Sequence, residues 1–401
     1  MTQPPAPERP PDESTADAIG AAQAADAPGR TAVGDAEIRE IARRLGENVL
    51  GPNAETSDQL PGPNRGNFEA LAASGLLGMG APRRYGGLDA SGATQREVTQ
   101  ILASYCGVTT FIQAQHHGPS RMIASGPSDT LRELLLPDLA RGAAMCAISF
   151  AHLRRPGPPV LRAVPEEGGY RIHGSAPWVT GWGLMNQVVF GATLLDGRFV
   201  YLWSPADRAD FPAVFADVPL PADAGALRAS TPLPLCAMNA SATVELTLEN
   251  WFIPEEHRLS FSDRETMRRN DRNGVLGATA MPLGCAAASV RVLCASAERR
   301  PIPAIKRAAE AFGAEWDELR GQIEAAIPHG GEPDQFDTGV RLRAWSIEFA
   351  VRAAHAAVTS VSGAANLRSH PAQRLLREAM FYTIQAQTEE VMTATLERLS
   401  R

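Results

Sequence analysis

The sequence predicts an α+β protein with three successive parts: an N-terminal α-helical domain, a small central β-domain and a C-terminal four-helix bundle. The main observation is a change in the spacing of apolar residues, from helical to partly alternating near residue 141 and back to helical near residue 257. Clusters of Pro and Gly separate the periodic segments. A chain of 401 residues is long enough to bury a large core.

Residues 1–32 are rich in Pro, Ala and Asp and contain no aromatic side chain. Such a segment buries too little apolar surface to offset the entropy lost on ordering, so we expect it to be disordered. Residues 33–140 form the expected helical domain. Its helices are indicated by the segments DAEIREIARRLGENVL, NFEALAASGLLGMGAP and ATQREVTQILASYCGVTTFIQAQHHGPSRMIASG.

Residues 141–256 form the expected β-domain, a sandwich or barrel, because short runs rich in β-branched and aromatic residues alternate with turns. These runs are AAMCAISFA, GYRIHGSAPWVTGWG, QVVFGATLL, GRFVYLWSP and ATVELTLENWFIP. In residues 257–401 the helical period returns. The long segments of this part are rich in small residues, which suits close helix–helix packing and predicts the bundle.

The composition limits the classes of function. The net charge of −7 gives no electrostatic basis for binding nucleic acid or a membrane surface. The five cysteines form no CxxC pair, so we expect reduced thiols in a cytoplasmic protein. We expect no membrane span, no secretory signal and no metal site.

Two short patterns suggest a site, and each has a simpler interpretation. His116 and His117 are adjacent on a predicted helix, so their side chains point apart; one is a candidate proton donor, and a helix cap or surface position explains them equally. Trp178 and Thr180 lie at the end of a predicted strand, where they suit a planar ring. A core tryptophan beside a turn gives the same pattern.

Five segments, in this order, resemble the acyl-CoA dehydrogenase family from about residue 36 to the C-terminus. They are LAASGLLGMGAPRRYGG, MCAISFAHL, GYRIHGSAPWVTGWG, SATVELTLENWFIPEEHRLS and SGAANLRSHPAQRLLREAMFYTIQAQTEEV. The last one matches, without gaps, a family stretch that contains Tyr-Pro, Arg-Asp and Tyr-Glu-Gly-Thr. The resemblance implies a helical–β–helical fold, a flavin-dependent activity and a homodimer or homotetramer.

The resemblance also implies an FAD held between the β-domain and the bundle. Trp178 and Thr180 match the positions that touch the flavin ring, and Thr388 matches the threonine at the FAD pyrophosphate. Arg300 matches the arginine that reaches the FAD of a neighbouring subunit. Gly363 matches a glycine near the adenine end of that shared site.

The chain departs from the family at two cofactor motifs. The Thr-Glu-Pro of the first β-strand is Ala151, His152 and Leu153 here, and Ser149, on the same strand face, is a candidate for the missing hydroxyl. The Arg-x-Gln-Phe-Gly motif is RPIPA, so only Arg300 is retained. Since proline has no N–H, we expect weaker FAD binding or an exchangeable reduced flavin.

The largest departure concerns the base that removes the α-proton of the thioester. The glutamate of Tyr-Glu-Gly-Thr is Ala386 here. In some members the base lies on the first long helix of the bundle, and that position is Gly274. Glu389 and Glu390 lie beyond Thr388 and cannot simply substitute for the glutamate, because each helical residue rotates the side chain by about 100°.

The missing base favours an oxygenase, which would hydroxylate or N-oxidise a small molecule with reduced flavin and O₂. Such chemistry needs no α-proton base, and a flavin reductase is then a partner. A small residue at position 386 would make room for a substrate that is not a thioester. The candidate catalytic polar groups are His117, Ser149, Gln385 and Gln387.

Two alternatives stay open. One is an α,β-dehydrogenase of a CoA or carrier-protein thioester with a relocated base, in which Arg154 and Arg155 would meet phosphates. The family loop that helps to hold acyl-CoA is shortened to RRPGPP, which argues against CoA. The other is a degenerate member that binds or scaffolds without redox chemistry, as the loss of both cofactor motifs suggests.

Overall fold

A computed structural model describes residues 33–207, 209, 221–329 and 335–400. The tail that we expect to be disordered, residues 1–32, lies outside the described residues. The described chain is first helical, then β-rich, then helical again, which confirms the predicted fold class. Helices and strands are numbered below within this part of the chain.

The helices of the first part lie close to the predicted segments. They are α1 (Asp35–Leu45), α2 (Ala54–Gln59), α3 (Arg65–Ala73), α4 (Gly92–Ala103), α5 (Gly107–Ser125) and α6 (Asp129–Arg141). Ser91 and Ser128 cap α4 and α6, because each hydroxyl accepts a hydrogen bond from the backbone N–H three residues later. α6 ends at Gly142, whose φ of 74° suits glycine.

The central part forms one continuous sheet. Its strands are β1 (Cys146–Ser149), β2 (Leu161–Glu166), β3 (Gly169–Val179), β4 (Gln187–Thr193), β5 (Phe199–Pro205), β6 (Ala226–Ala229), β7 (Val244–Pro254) and β8 (Arg258–Ser262). The strand order is β6-β7-β3-β2-β4-β5-β8, and β1 pairs in parallel with β4. Since β8 follows residue 257, the sheet extends beyond the predicted end of the β-domain.

The sheet curls back on itself. β5 and β7 are not neighbours in the strand order, yet the Trp251 indole N–H of β7 donates to the Ser204 hydroxyl of β5 at 3.0 Å. Both side chains are buried. The sequence predicts a sandwich or a barrel. The structure has a single sheet, which curls so that β5 and β7 enclose a common core.

The last part is a helical bundle. Its helices are α7 (Arg264–Gly274), α8 (Ala280–Arg299), α9 (Pro303–Ala326), α10 (Phe336–Val361), α11 (Pro371–Tyr382) and α12 (Glu389–Leu399). α8 packs against α9, α10 and α11, α10 packs against α9 and α11, and α12 lies on α10. Gly284 lets α8 approach α4 closely, because a Cβ there would lie 2.4 Å from the Gln100 carbonyl oxygen.

Ion pairs join the first part of the chain to the last. Arg374 of α11 is buried and contacts Glu55 of α2 at 3.1 Å and Glu378 at 2.7 Å. One turn later, Arg377 forms a bidentate pair with Asp58. The N-terminal helices and the bundle therefore form one packed unit, from which the β-domain extends.

One segment, Gly277–Arg299, is long and apolar enough to cross a membrane by length and composition alone. In the structure, 61% of its most apolar window is buried inside the protein. Since most of this segment is α8, which packs against α9, α10 and α11, its apolar character is that of a core helix.

Candidate functional site

Trp178 lies at the end of β3, where this strand leaves its partner. The register between β3 and β7 shifts between Ala176 and Val179, and Trp178 has a left-handed φ of 61°. Such a bulge redirects the side chain. The indole is 47% exposed, whereas Val179 is fully buried. The end of β3 therefore presents an aromatic face to the outside of the sheet.

Two of the predicted hydroxyls lie beside this indole. Ser149 Oγ, at the end of β1, donates to the Pro177 carbonyl at 3.3 Å. Thr180 Oγ1 lies 3.1 Å from Thr243 Oγ1, which lies 2.8 Å from Ser241 Oγ. Two hydrogen bonds use two of the three protons in this chain of hydroxyls. One of the three hydroxyls therefore keeps an O–H that can donate elsewhere.

The connection between α11 and α12, residues 383–388, contains Ala386. Ala386 has a left-handed φ of 50°. The Gln387 amide donates to the Thr383 carbonyl at 2.8 Å. Thr388 caps α12 by accepting a hydrogen bond from the Val391 N–H at 3.4 Å. The N-terminus of α12 thus follows the connection directly, and such a terminus favours anions.

A buried arginine holds this connection from behind. Arg343 of α10 is 1% exposed. It donates to the Gln385 carbonyl at 2.9 Å and also to the Ala278 carbonyl, just before α8. Burial lowers the pKa of Arg343 to about 10. Its Nε and the side-chain Oε1 of Gln385 are buried without a hydrogen-bond partner.

Helix α5 links these two groups of residues. A Cβ on Gly181, in the turn after β3, would lie 3.3 Å from Ile112 of α5. The preceding residue, Phe111, packs edge-to-face on Phe381 of α11, with ring centroids 4.8 Å apart. The candidate site, here called the cleft, comprises Ser149, Trp178 and Thr180 together with residues 385–388, two groups that α5 connects through Ile112 and Phe111.

His117 lies on another face of α5. Its Nε2 is 3.2 Å from the Leu76 carbonyl, to which Gln113, one turn earlier, also donates. Burial lowers the pKa of His117 to about 3, so the ring is neutral. Counted from Ile112, His117 is five residues along the helix, which rotates it about 140° away. The structure therefore places this candidate proton donor outside the cleft.

His116 is also buried and has both ring nitrogens engaged. Its Nδ1 accepts from the Cys146 N–H at 3.3 Å, and its Nε2 lies 3.1 Å from the Leu139 carbonyl. These contacts join α5 to β1 and to α6. Burial lowers the pKa of His116 to about 4. The ring therefore connects three elements as a neutral donor and acceptor.

Arg300 and Gly363 lie at the opposite end of the bundle. Arg300 follows α8 and donates to the Ser360 carbonyl at 2.7 Å, near the end of α10. Gly363 follows α10 and has open space around its Cα. α8 has 20 residues and spans about 30 Å, and Arg343 contacts the chain at its other end. Within one copy of the chain, the length of α8 therefore separates Arg300 and Gly363 from the cleft.

The described residues supply no carboxylate at either family position of the base. Gly274 is the exposed last residue of α7. Glu389 and Glu390 are exposed in the first turn of α12. Glu378, about one and a half turns before the connection, is buried against Arg374. Burial raises the pKa of Glu378, although the guanidinium opposes this shift.

The expected phosphate-binding arginine is engaged elsewhere. Arg154 forms a bidentate pair with Asp271 of α7, at 2.9 and 2.6 Å. The pKa of Arg154 is raised, because burial, which lowers it, is outweighed by the hydrogen bonds that the guanidinium donates to this carboxylate and by the carboxylate's charge. A phosphate would have to compete with Asp271 for the guanidinium. Arg155 is exposed and has no such pair among the described residues.

Two cavities lie away from the cleft. One of about 290 Å³ is lined by Arg65, Phe68, Met145 and Asn186, where α3 meets the β-domain. The other, of about 370 Å³, lies between α9 and α10 and is lined mainly by apolar side chains. Neither cavity is lined by a residue of the cleft.

Sequence reasoning does not identify Arg343, although the sequence contains a signal. Residues Leu342, Ser346, Ile347 and Ala350 of α10 are buried at helical spacing. Arg343 falls within this buried stripe. A charged side chain on the buried face of a helix requires either a polar partner or a function. The position of Arg343 in the sequence therefore indicates a structural or functional role.

Comparisons with known proteins support one family. Residues 35–143 match the family described as acyl-CoA dehydrogenase, N-terminal domain. The chain is 22% identical over 377 residues to the probable acyl-CoA dehydrogenase YngJ of Bacillus subtilis (strain 168), covering 90% of this chain and 96% of that protein.

Solved structures show the same fold at low sequence identity. The butyryl-CoA dehydrogenase from Megasphaera elsdenii superposes with a TM-score of 0.73 at 17% identity, covering 93% of this chain and 99% of the other. The glutaryl-CoA dehydrogenase from Mycobacterium smegmatis gives a TM-score of 0.73 at 19% identity, covering 96% and 97%. The likeness extends over all three parts of the fold.

Proposed function

We propose that the chain is a divergent member of the acyl-CoA dehydrogenase family, which it resembles in sequence and fold, and that it is an FAD-dependent oxidoreductase that works without a carboxylate base, specifically an oxygenase. It would transfer one oxygen atom of O₂ to a small molecule by hydroxylation or N-oxidation. Reduced flavin supplies the two electrons, and the other oxygen atom leaves as water. The observation that carries this proposal is Ala386, a methyl group where the family has its base.

The cleft residues fit an FAD at its flavin ring and at its diphosphate. The exposed Trp178 indole offers a face for the flavin ring, and the hydroxyl chain that starts at Thr180 has one O–H to donate. Thr388 and the N-terminus of α12 suit the diphosphate. Ser149, Trp178, Thr180 and Thr388 would therefore hold the cofactor, as the resemblance implies.

The polar groups beside Ala386 indicate a substrate class. The Gln387 amide donates within its own turn. The Oε1 of Gln385 is buried and has no hydrogen-bond partner, so it is available to accept a hydrogen bond from a substrate O–H or N–H. A phenol, an amine or an N–H heteroaromatic would satisfy it. These compounds are substrates for hydroxylation or N-oxidation, and none requires a base to remove an α-proton.

A second copy of the chain completes this proposal. Arg300 and Gly363 match family positions at a neighbouring subunit's FAD, and the length of α8 separates them from the cleft of their own chain. We therefore include a homodimer or homotetramer in the proposal. Sedimentation of the purified protein with and without FAD measures the assembly directly.

The first experiment measures flavin binding and oxygen use. The purified protein is titrated with FAD, then supplied with a flavin reductase and NADH, and O₂ uptake and product mass are followed with phenols, amines and heteroaromatics. We expect saturable FAD binding and a product heavier by one oxygen atom. Trp178→Ala should weaken FAD binding, whereas Leu195→Ala, at another exposed apolar side chain of the β-domain, should not.

The results separate the oxygenase from its alternatives. FAD binding without any substrate-dependent oxygen transfer would contradict the oxygenase. A protein that binds neither oxidised nor reduced flavin would instead support the non-redox binding or scaffold member.

The dehydrogenase alternative is favoured by the relatives, which are named as acyl-CoA dehydrogenases. Its test is anaerobic addition of acyl-CoA thioesters, which would bleach the flavin absorbance. Ala386→Glu provides a second measurement. If thioesters bind in the cleft, a restored base should accelerate bleaching by about 10² to 10⁴-fold. An oxygenase site should show no bleaching in either protein.

A further inference from the structure

The charge of Arg343 is not neutralised by any carboxylate among the described residues. Its guanidinium contacts two backbone carbonyls, of Ala278 and Gln385. The side chain is 1% exposed, so water does not screen the charge effectively. The ionisable side chain that interacts electrostatically with the guanidinium is that of Tyr382. The phenol is fully buried, which raises its pKa well above the usual value, so it carries no compensating negative charge.

The other buried charges near α11 are already paired. Arg374 contacts Glu378 and Glu55, and Arg377 contacts Asp58. These pairs lie toward the start of α11, on the far side of Tyr382 from Arg343. A buried cation without an anion destabilises the folded protein unless a ligand supplies the negative charge. Arg343 thus differs from every other buried arginine in the described bundle.

The guanidinium also fixes the segment that would receive such a ligand. Its Nη2 binds the Gln385 carbonyl, three residues before the Thr388 cap, and its Nε is unpartnered. The N-terminus of α12, a helix of 11 residues, begins at this cap and contributes N–H groups and a partial positive charge. A buried charge and a helix terminus therefore act on the same short segment.

We propose that Arg343 is a positioning residue for a diphosphate group bound at the N-terminus of α12. It fixes residues 385–388 through the Gln385 carbonyl and supplies the fixed positive charge that the diphosphate neutralises. The inference rests on the proposed function, in which the ligand is FAD. It assigns a role to a residue that would not touch the cofactor.

The test compares ligands with and without the diphosphate. Dissociation constants of FAD, riboflavin and inorganic pyrophosphate are measured for the wild-type protein and for Arg343→Met, Arg343→Lys and Arg341→Met. Arg341 lies on the same helix, is exposed and bonds Thr338, so its replacement is a control for net charge. Urea unfolding of each variant verifies that it is folded.

We expect Arg343→Met to raise the dissociation constants of FAD and pyrophosphate by at least tenfold. The dissociation constant of riboflavin should change by less than twofold. Arg343→Lys keeps the charge but lacks the planar fork that reaches both carbonyls, so its affinity for FAD and pyrophosphate should lie between those of the wild type and Arg343→Met, and its affinity for riboflavin should stay within about twofold of wild type. Arg341→Met should change none of them. If the methionine variant does not fold, Arg343→Gln replaces it, because its amide can still donate to the Gln385 carbonyl without a charge.

An equal loss of FAD and riboflavin would overturn the inference, because the arginine would then act on the ring or on the fold. Wild-type protein that binds no flavin would refute the proposed function alone, and the pyrophosphate measurement would still decide the role of Arg343. Wild-type protein that binds neither flavin nor pyrophosphate would overturn both.

Discussion

At the scale of single residues, Ala386 holds a backbone conformation that alanine does not favour. Its φ is 50°, and the left-handed region costs a non-glycine residue roughly 1–2 kcal/mol. The neighbouring residues maintain it, since Arg343 binds the Gln385 carbonyl and the Gln387 amide binds the Thr383 carbonyl. The conformation belongs to the segment as a whole, and the side chain at 386 is free to vary within steric limits.

Substitutions at Ala386 should follow this conformational preference. We expect Ala386→Gly to raise the free energy of unfolding by up to about 1 kcal/mol, because glycine adopts positive φ without strain. Ala386→Val should lower it by about 1–2 kcal/mol, because a β-branched side chain is an outlier there. Urea denaturation measures both. Equal stabilities of the two variants would show that residue 386 is not left-handed in solution.

Gly284 and Gly313 are both helical glycines with opposite surroundings. A Cβ on Gly284 would lie 2.4 Å from the Gln100 carbonyl and 2.8 Å from Ala103 Cβ, whereas a Cβ on Gly313 meets nothing within 4 Å. We expect Gly284→Ala to destabilise the protein by about 1–3 kcal/mol through overpacking of α4 against α8.

Gly313→Ala is the matched control for this substitution. It should stabilise the protein by about 0.5–1 kcal/mol through helix propensity. Thermal unfolding of both variants gives the comparison. A neutral result at Gly284 would mean that α4 and α8 lie further apart in solution.

At the scale of elements, α12 depends on its N-cap residue. Thr388 accepts a hydrogen bond from the Val391 N–H, and Val391 is buried. We expect Thr388→Ala to lower the free energy of unfolding by about 0.5–2 kcal/mol, and Thr388→Ser to keep most of it, because the serine hydroxyl makes the same cap. Hydrogen exchange of the α12 amides locates the effect. A uniform loss of protection along the whole chain would contradict a local cap.

The sequence predicts some elements better than others, for physical reasons. β3 and β7 are long and rich in β-branched and aromatic residues, and both are recognised. β6 has four residues, Ala226–Ala229, with no β-branched side chain, and pairs only at the sheet edge with β7. Its position depends on a neighbour that is distant in sequence. Local propensity therefore does not reveal it.

The candidate site was predictable in part. Trp178 and Thr180 are marked by their place at a strand end, and the structure brings Ser149 beside them. The sequence also makes His117 a candidate proton donor, but its ring faces the Leu76 carbonyl. Which way the ring faces depends on how α5 packs, and the sequence does not reveal this. The Arg343 contact with Gln385 spans 42 residues. Such a tertiary contact cannot be read from spacing.

At the scale of the whole molecule, buried histidines make the stability depend on pH. The pKa is about 4 for His116 and about 3 for His117, both through burial, against 6.5 in an exposed state. As the pH falls below 6.5, the unfolded chain takes up protons that the folded protein does not. Unfolding is therefore favoured, and stability should decline from pH 6.5 toward pH 4.

His117→Gln should reduce this dependence. The glutamine amide can still donate to the Leu76 carbonyl but does not titrate. Between pH 5 and 6, the slope of the unfolding free energy against pH should fall by up to one proton, or about 1.4 kcal/mol per pH unit. Urea midpoints across this range measure the slope. An unchanged slope would mean that His117 titrates normally in the folded protein.

The ion pairs between α2 and α11 also constrain how the protein is made. Arg374 and Arg377 each follow their carboxylate partners by 319 residues. At about 5–20 residues per second, a ribosome needs roughly 16–64 s to add the second half of each pair. During that interval the first helices have no bundle to pack on, and their apolar faces are open to other chains. A nascent chain of this protein should therefore depend on chaperones until its last helices emerge.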